Sequence, residues 1–257
     1  MSYIVICLVA CVASGLSFLS GFGLGTLLLP AFALFFPVER AVALTAVVHL
    51  LNGLFKLALV GRQIDWPVLL RFGLPAVVGG VVGALLLERL AGLAPVARYE
   101  WLGREMEVMP VKLAVGGLLV LFAMLEFVPG FSGLALGPAW MPVGGLLSGF
   151  FGGLAGMQGA LRSAFLSRAG LAKEAFVATT AAVASLVDLS RLGVYAEALR
   201  REQADIDYPL LAAAVGAAFA GAMLGSRWLR SMTMAGIRRL VAVLLVAVGA
   251  GMMAGVL

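Results

Sequence analysis

The chain reads as an all-α integral membrane protein of about eight transmembrane helices in two homologous halves, and three observations carry that reading. The residues are 63% hydrophobic and only 12% charged, with a mean hydropathy of +1.09, far outside the range of a soluble domain. The apolar residues gather into runs long enough to cross a bilayer, which takes roughly 20 residues each. One glycine-rich pattern also occurs twice, in corresponding places of the two halves.

The 257 residues, with short connections, supply those crossings and leave almost no extramembrane part, so 1–257 reads as a single membrane domain. Apolar runs extend roughly over 3–36, 40–60, 66–87, 109–128, 139–166, 174–195, 208–227 and 236–256. The first and fifth exceed one bilayer thickness and are crowded with glycine, which predicts broken or re-entrant segments opening each half. The polar stretches 88–107 and 196–207 read as solvated loops. Cys7 and Cys11 share one helix face as packing residues. No Lys or Arg precedes Arg40, whereas a signal peptide needs a positive start, so the first run reads as a retained span.

The net charge of +5 comes from cations scattered in short loops, where they set orientation instead of binding nucleic acid. With eight crossings, Arg40, Arg89, Arg98, Arg104, Lys112, Arg162, Arg168, Lys173, Arg227, Arg230, Arg238 and Arg239 fall on one side, twelve against six. The other side receives Lys56, Arg62, Arg71, Arg191, Arg200 and Arg201. The excess of positive charge then places the first side in the cytoplasm of an inner membrane and both termini outside.

The chain also repeats itself. "LSGFGLGTLLLP" from Leu19 to Pro30, followed by "ERAVALTAVVHLLNGLFK" to Lys56, parallels "LSGFFGGLAGMQGALR" from Leu147 to Arg162, followed by "KEAFVATTAAVASLVDLSR" to Arg191. The repeats cover about 1–128 and about 139–257. Such halves are common in secondary transporters, whose sites form where the repeats meet. Four spans per half give the repeats the same orientation, and a re-entrant glycine run inverts it; the sequence leaves both open.

Glycine tolerates backbone conformations that other residues resist. Gly21, Gly23 and Gly25 in the first half, and Gly149, Gly152, Gly153, Gly156 and Gly159 in the second, can therefore unwind a helix at mid-membrane. The freed amides, with the positive end of a half-helix dipole, suit an anion. The other reading of any one glycine is close helix packing; two clusters at matching places favour the site.

Polar residues within spans are costly and so are functional candidates. Thr45, His49, Asn52 and Lys56 share one face of the second span. In the second half Thr179 and Thr180 precede Asp188 and Arg191, which are spaced i, i+3 like an intrahelical ion pair. Lys56 and Arg191 can instead snorkel to the interface, and His49 can be a hydrogen-bonded packing residue; Asp188 is too short to snorkel. Gln158, Arg162 and Ser163 follow the second glycine cluster. The forked donors of Arg162 suit a tetrahedral or pyramidal oxyanion, unless Arg162 marks the cytoplasmic end of the fifth span.

No enzyme pattern competes. One histidine and two cysteines cannot assemble a usual zinc site, no phosphate loop or nucleophile elbow is present, and "GFGLG" lacks the strand context of a dinucleotide fingerprint. No metal and no cofactor are expected.

The segments "SGFGLGTLLLP" and "SGFFGGLAGMQGALRSAF", each followed by a threonine-containing span, resemble the TauE/SafE family of sulfite and sulfonate exporters and permeases over nearly the whole chain. In that family a glycine-rich stretch followed by proline opens each half. Pro30 keeps the pattern, whereas Phe165 and Leu166 stand where the second half would carry proline, and Leu154, Ala155, Met157 and Gln158 interrupt the second glycine run. The resemblance implies a permease for sulfite, an organosulfonate or a related small anion. The expected mechanism is alternating access, with Gly21, Gly23, Gly25, Thr45, His49, Asn52, Gly152, Gly153, Gly156, Gln158, Arg162, Ser163 and Thr179 as substrate-binding candidates and His49 or Asp188 coupling a proton. The alternatives are an anion channel and a nontransporting membrane assembly partner. The expected partners are the anion and the bilayer; a homo-oligomer is left open.

Overall fold

The computed structural model describes residues 1–17, 24–101, 103–125, 137–201, 207–228 and 234–257. Its helices are α1 Ser2–Leu16, α2 Leu24–Ala33, α3 Val38–Val60, α4 Trp66–Val68, α5 Leu74–Ala91, α6 Pro110–Leu125, α7 Met141–Ala155, α8 Gly159–Leu166, α9 Lys173–Arg201, α10 Tyr208–Trp228 and α11 Met234–Met253. A π-helical turn, Leu69–Gly73, joins α4 to α5, so Trp66–Ala91 forms one continuous span. Among the described residues three helices are long and apolar enough to cross a bilayer, Val38–Leu59, Trp66–Ala91 and Lys173–Ala196. The shorter apolar helices include α1, α2 and α6, and the break that follows α7 falls in the second glycine-rich run. The architecture is mostly helical.

The inside-out pattern of α5 shows which solvent it faces. Leu74, Val78, Val82 and Leu85 are exposed, whereas Ala76, Gly79, Gly80, Gly83 and Ala84 are buried. Large apolar side chains toward lipid and small ones toward protein are the signature of helix packing in a bilayer, where backbones must approach closely to gain dispersion energy. The partner is α7. A Cβ built on Gly145, Gly149 or Gly153 would come within 2.1, 1.9 and 2.0 Å of the carbonyl oxygens of Phe72, Ala76 and Gly80. The contacts advance together along both helices, so α5 and α7 run parallel.

The same reading fixes the other directions. Tyr3 donates to the Asp207 carboxylate at 2.7 Å and Gly221 lies against the Cys11 carbonyl, so α1 and α10 are parallel. Antiparallel packing joins α3 to α9, where His49 meets Asp188, Gly53 meets Ser185 and the Asp65 amide meets Thr179. It also joins α6 to α11, where Gly116 and Gly249 each abut the other's carbonyl. α8 turns back along α7: Ser148 Oγ donates to the Gln158 carbonyl at 2.9 Å and Phe165 covers Gly144. In the same way α2 folds back on α3, with Gly25 beside Thr45.

Two expectations are corrected. The stretch 88–107 is not all loop: β1 Ala97–Trp101 and β2 Arg104–Val108 pair antiparallel, tied by an exposed Arg98–Glu107 ion pair of 2.9 Å, and Gly103 supplies the turn at φ 72°. The pairing is local, with aromatic and charged side chains alternating across the ribbon. The second correction concerns sides. Tyr99 donates to the Ala254 carbonyl and Gly255 lies on Glu107, so the hairpin sits at the end that carries the C-terminus. The helix directions bring the start of α1 and the start of α3 to this same end. Arg40, Arg89, Arg98, Arg104 and Lys112 thus share an end with the termini, while Lys56, Arg62 and Arg71 belong to the other. Lys173, at the start of α9 and so beside the end of α3, joins these three and leaves the side of the other five, so the twelve-against-six partition does not hold, because an eight-crossing count omits the return of α2 and α8.

Gly149→Val should remove most of the folded protein from detergent extracts, since overpacking against backbone costs about 3 kcal/mol or more. Gly216→Ala, with nothing within 4 Å of the new methyl, should keep the unfolding midpoint within a few degrees; a thermal-shift series on the purified variants checks both.

Candidate functional site

The site forms where α7 gives way to α8. Gly156 has φ 69°, a left-handed conformation that costs a side-chain-bearing residue. Its amide bonds the Gly152 carbonyl at 2.8 Å, the left-handed cap that ends a helix, and the Met157 amide bonds the Phe151 carbonyl at 3.2 Å. Gln158 then caps α8, and the reversal carries Gln158 and Arg162 into the interior at 1% and 7% exposure.

Asp188 on α9, fully buried, is the hub of this interior. One carboxylate oxygen faces His49 Nδ1 at 2.5 Å, the other accepts from Gln158 Nε2 and from Arg191 Nε, each at 3.0 Å. Arg191 Nη2 stands 2.8 Å from that oxygen as an ion-pair contact, off hydrogen-bond alignment. With Nδ1–H donated to the carboxylate, His49 keeps Nε2 as the nitrogen that can take up a proton. Arg191 Nη1 reaches the Gly152 carbonyl at 2.8 Å and Tyr195 donates to the Gly153 carbonyl, so the end of α7 is held by two side chains of α9.

Arg162 differs from Arg191. Nη1 donates to Gln158 Oε1 at 3.0 Å, and Nε is buried without a hydrogen-bond partner. No carboxylate of the described residues lies within ion-pair distance of Arg162. Nearby, Thr45 is fully buried with its hydroxyl unpartnered, and its methyl faces Gly25 and Gly156. Gly25, in the first turn of α2, abuts the Gly156 carbonyl, where a Cβ would lie at 2.6 Å. The first described turn of α2 thus meets the α7–α8 break.

The predicted residues fare differently. Gly25, Thr45, His49, Gly156, Gln158, Arg162 and Asp188 come together; Ser163 follows Arg162 on α8, half-buried; Gly21 and Gly23 lie outside the described residues. Gly152 and Gly153 do not free their amides as expected. They are helical, they let α7 approach its neighbours, and they offer carbonyls to Arg191 and Tyr195. Asn52 and Thr179 serve contacts elsewhere: Asn52 accepts from Ser14 at 3.1 Å, and the Thr179 hydroxyl accepts from the Asp65 amide at 2.9 Å, about 13 Å along α9 from Asp188. Ser148 and Tyr195 were missed. Tyr195 lies one turn after Arg191 and two after Asp188, a spacing that places all three on one face; nothing in the sequence singles out Ser148.

A glycine-broken helix returning on itself around a buried arginine can be set against known families. The family model described as sulfite exporter TauE/SafE matches residues 6–252. The chain belongs to the TauE/SafE family. It is accordingly a multi-pass membrane transporter and not an enzyme. No curated protein and no solved structure matches it. Among the described residues no cluster of His, Cys, Asp or Glu could hold a metal ion.

In this TauE/SafE protein the Asp188 carboxylate and the Arg191 guanidinium neutralise each other in the interior. Asp188→Asn should destabilise the protein by about 3–5 kcal/mol, because Arg191 would lose its buried counter-charge. The double variant Asp188→Leu with Arg191→Met should recover much of that loss; unfolding midpoints of the three purified proteins decide it.

Proposed function

We propose that this chain is a secondary-type permease that carries a small anion, sulfite, an organosulfonate or a related sulfur-containing or organic anion, by alternating access and coupled to a proton. The observation that carries the reading is Arg162. A guanidinium at 7% exposure with an unpartnered Nε, one amide oxygen as its side-chain partner and no carboxylate of the described residues within ion-pair distance is unfavourable within a membrane until an anion arrives. An oxyanion bound there would accept from Nε and from Thr45 Oγ1. Gln158 bridges Arg162 to Asp188, so a bound anion competing for Arg162 would be felt at the His49–Asp188 pair, where the proton is taken up.

The halves, about 1–128 and about 139–257, act in this reading as inverted repeats. The support is the helix directions: α3 pairs with its counterpart α9, and α6 with its counterpart α11, and both pairs are antiparallel. The parallel pairs α5–α7 and α1–α10 exchange under the same operation. A two-fold axis in the membrane plane is the relation that lets one sequence pattern build outward-open and inward-open states.

The test is uptake of radiolabelled sulfite, taurine and sulfoacetate into proteoliposomes, with and without a pH gradient. Saturable uptake of at least one is expected, reduced about hundredfold or more by Arg162→Ala, and His49→Gln should retain uptake that no longer responds to the gradient. No uptake of any of the three, or full uptake by Arg162→Ala, would overturn the assignment.

A further inference from the structure

The hairpin of β1 and β2 has two unlike faces. Its register pairs Ala97 with Val108, Tyr99 with Met106 and Trp101 with Arg104, which puts these six on one side, while Arg98, Glu100, Glu105 and Glu107 share the other. Glu100 and Glu105 are exposed and stand directly opposite each other, and like charges so placed repel. Water and its ions screen that repulsion and a bilayer does not, so the charged face is the water face.

The other face is held at its base. Tyr99 donates to the Ala254 carbonyl just past α11, the Glu107 backbone lies against Gly255, and Met106 and Val108 are half-buried. Toward the tip this support runs out: Trp101 is 52% exposed, and Arg104 opposite it is exposed too. The helix beneath is a rim helix, since α11 exposes Val243, Leu244 and Val246.

The level of the ribbon follows from the other aromatic residues. Among the described residues the exposed tryptophans and tyrosines are Tyr3, Trp66, Tyr99, Trp101, Trp140 and Tyr208. Each stands at the start of a helix or in the hairpin. Tyr3 and Tyr208, at the starts of the parallel α1 and α10, lie at the hairpin's end of the protein; Trp66 and Trp140, at the starts of α4 and α7, lie at the other. The 23 residues of α3 run from one level to the other and span about 34 Å. That separation fits a hydrocarbon core of about 30 Å with an aromatic belt at each boundary.

We infer that the hairpin is a membrane-surface anchor: its Tyr99, Trp101 and Met106 face lies on the bilayer at the rim of the bundle, and Arg104 at its tip holds the phosphate of an anionic phospholipid. An indole with an apolar body suits the boundary between acyl chains and headgroups, and the neighbouring guanidinium matches the headgroup charge. The lipid-facing side of α11 continues onto the ribbon, so one surface meets both the acyl chains and the headgroups. The anchor is independent of which anion the protein carries.

The test reads Trp101 emission, taken as the native chain minus Trp101→Phe, in bilayers of phosphatidylcholine and phosphatidylglycerol. Nitroxide labels sit near the headgroup or at the acyl-chain end, and iodide is the quencher in water. The shallow label should quench Trp101 at least about twofold more strongly than the deep one, and iodide should quench it weakly. Labelled phosphatidylglycerol should act with about fivefold higher apparent affinity than labelled phosphatidylcholine, a preference that Arg104→Gln removes and Arg104→Lys keeps. In the Trp101→Phe background, Glu105→Trp on the opposite face should respond to iodide and not to lipid. Strong iodide quenching of Trp101 without lipid quenching would overturn the anchor. Protection from both quenchers, the result expected of a second copy docked on this face, would overturn it too. Equal affinity for the two lipids, or a preference that Arg104→Gln leaves intact, would overturn the headgroup contact.

Discussion

A carboxylate buried at full depth in a membrane protein persists only when positive charge and donors surround it, and Asp188 gathers the interior of this chain on that condition. It draws in His49 from α3, Gln158 from the α7–α8 break and Arg191 from its own helix. Through Arg191 it also holds the end of α7. Four elements from both halves thus converge on one side chain. Charge explains why the group stays together, and small residues explain how it can. Gly145, Gly149 and Gly153 bring α7 onto α5 closely enough that the break after Ala155 points inward.

Arg162 and Arg191 carry the same functional group in opposite circumstances. The neutralised Arg191, with its carboxylate and a backbone carbonyl, is an architectural element. Arg162 has an amide oxygen and an unpartnered Nε, so part of its hydrogen-bonding capacity is left unfilled. The contrast ties the broken helix to transport more firmly than the glycines do alone, since most of those glycines serve close packing.

What the sequence disclosed follows the range of each interaction. The Asp188–Arg191 pair is legible because i, i+3 partners share a helix, and the break at Gly156 because an oversized, glycine-crowded run has to bend somewhere. The His49–Asp188 contact spans 139 positions and leaves no local mark. Thr179 carries the right chemistry at a plausible depth, yet its hydroxyl is taken by an amide of a loop that no periodicity places beside it. The partition of charges between the two ends is not legible, because apolar length does not count crossings. α8 has eight residues and adds no crossing by length, but it reverses the direction of everything after it. The hairpin at 97–108 is hidden because its aromatic and charged residues lie within a stretch polar enough to read as loop.

The glycine contacts that lock α1 to α10 bear on how the protein is made. The face of α1 that holds Cys11 is completed only by Gly221, which the ribosome adds more than two hundred residues later. Until then the first helix waits in lipid with its partner surface unfilled. Biogenesis therefore cannot proceed half by half: the N-terminal segment inserts first and docks among the last, and any factor that shelters nascent membrane helices would find its longest-standing client surface on α1.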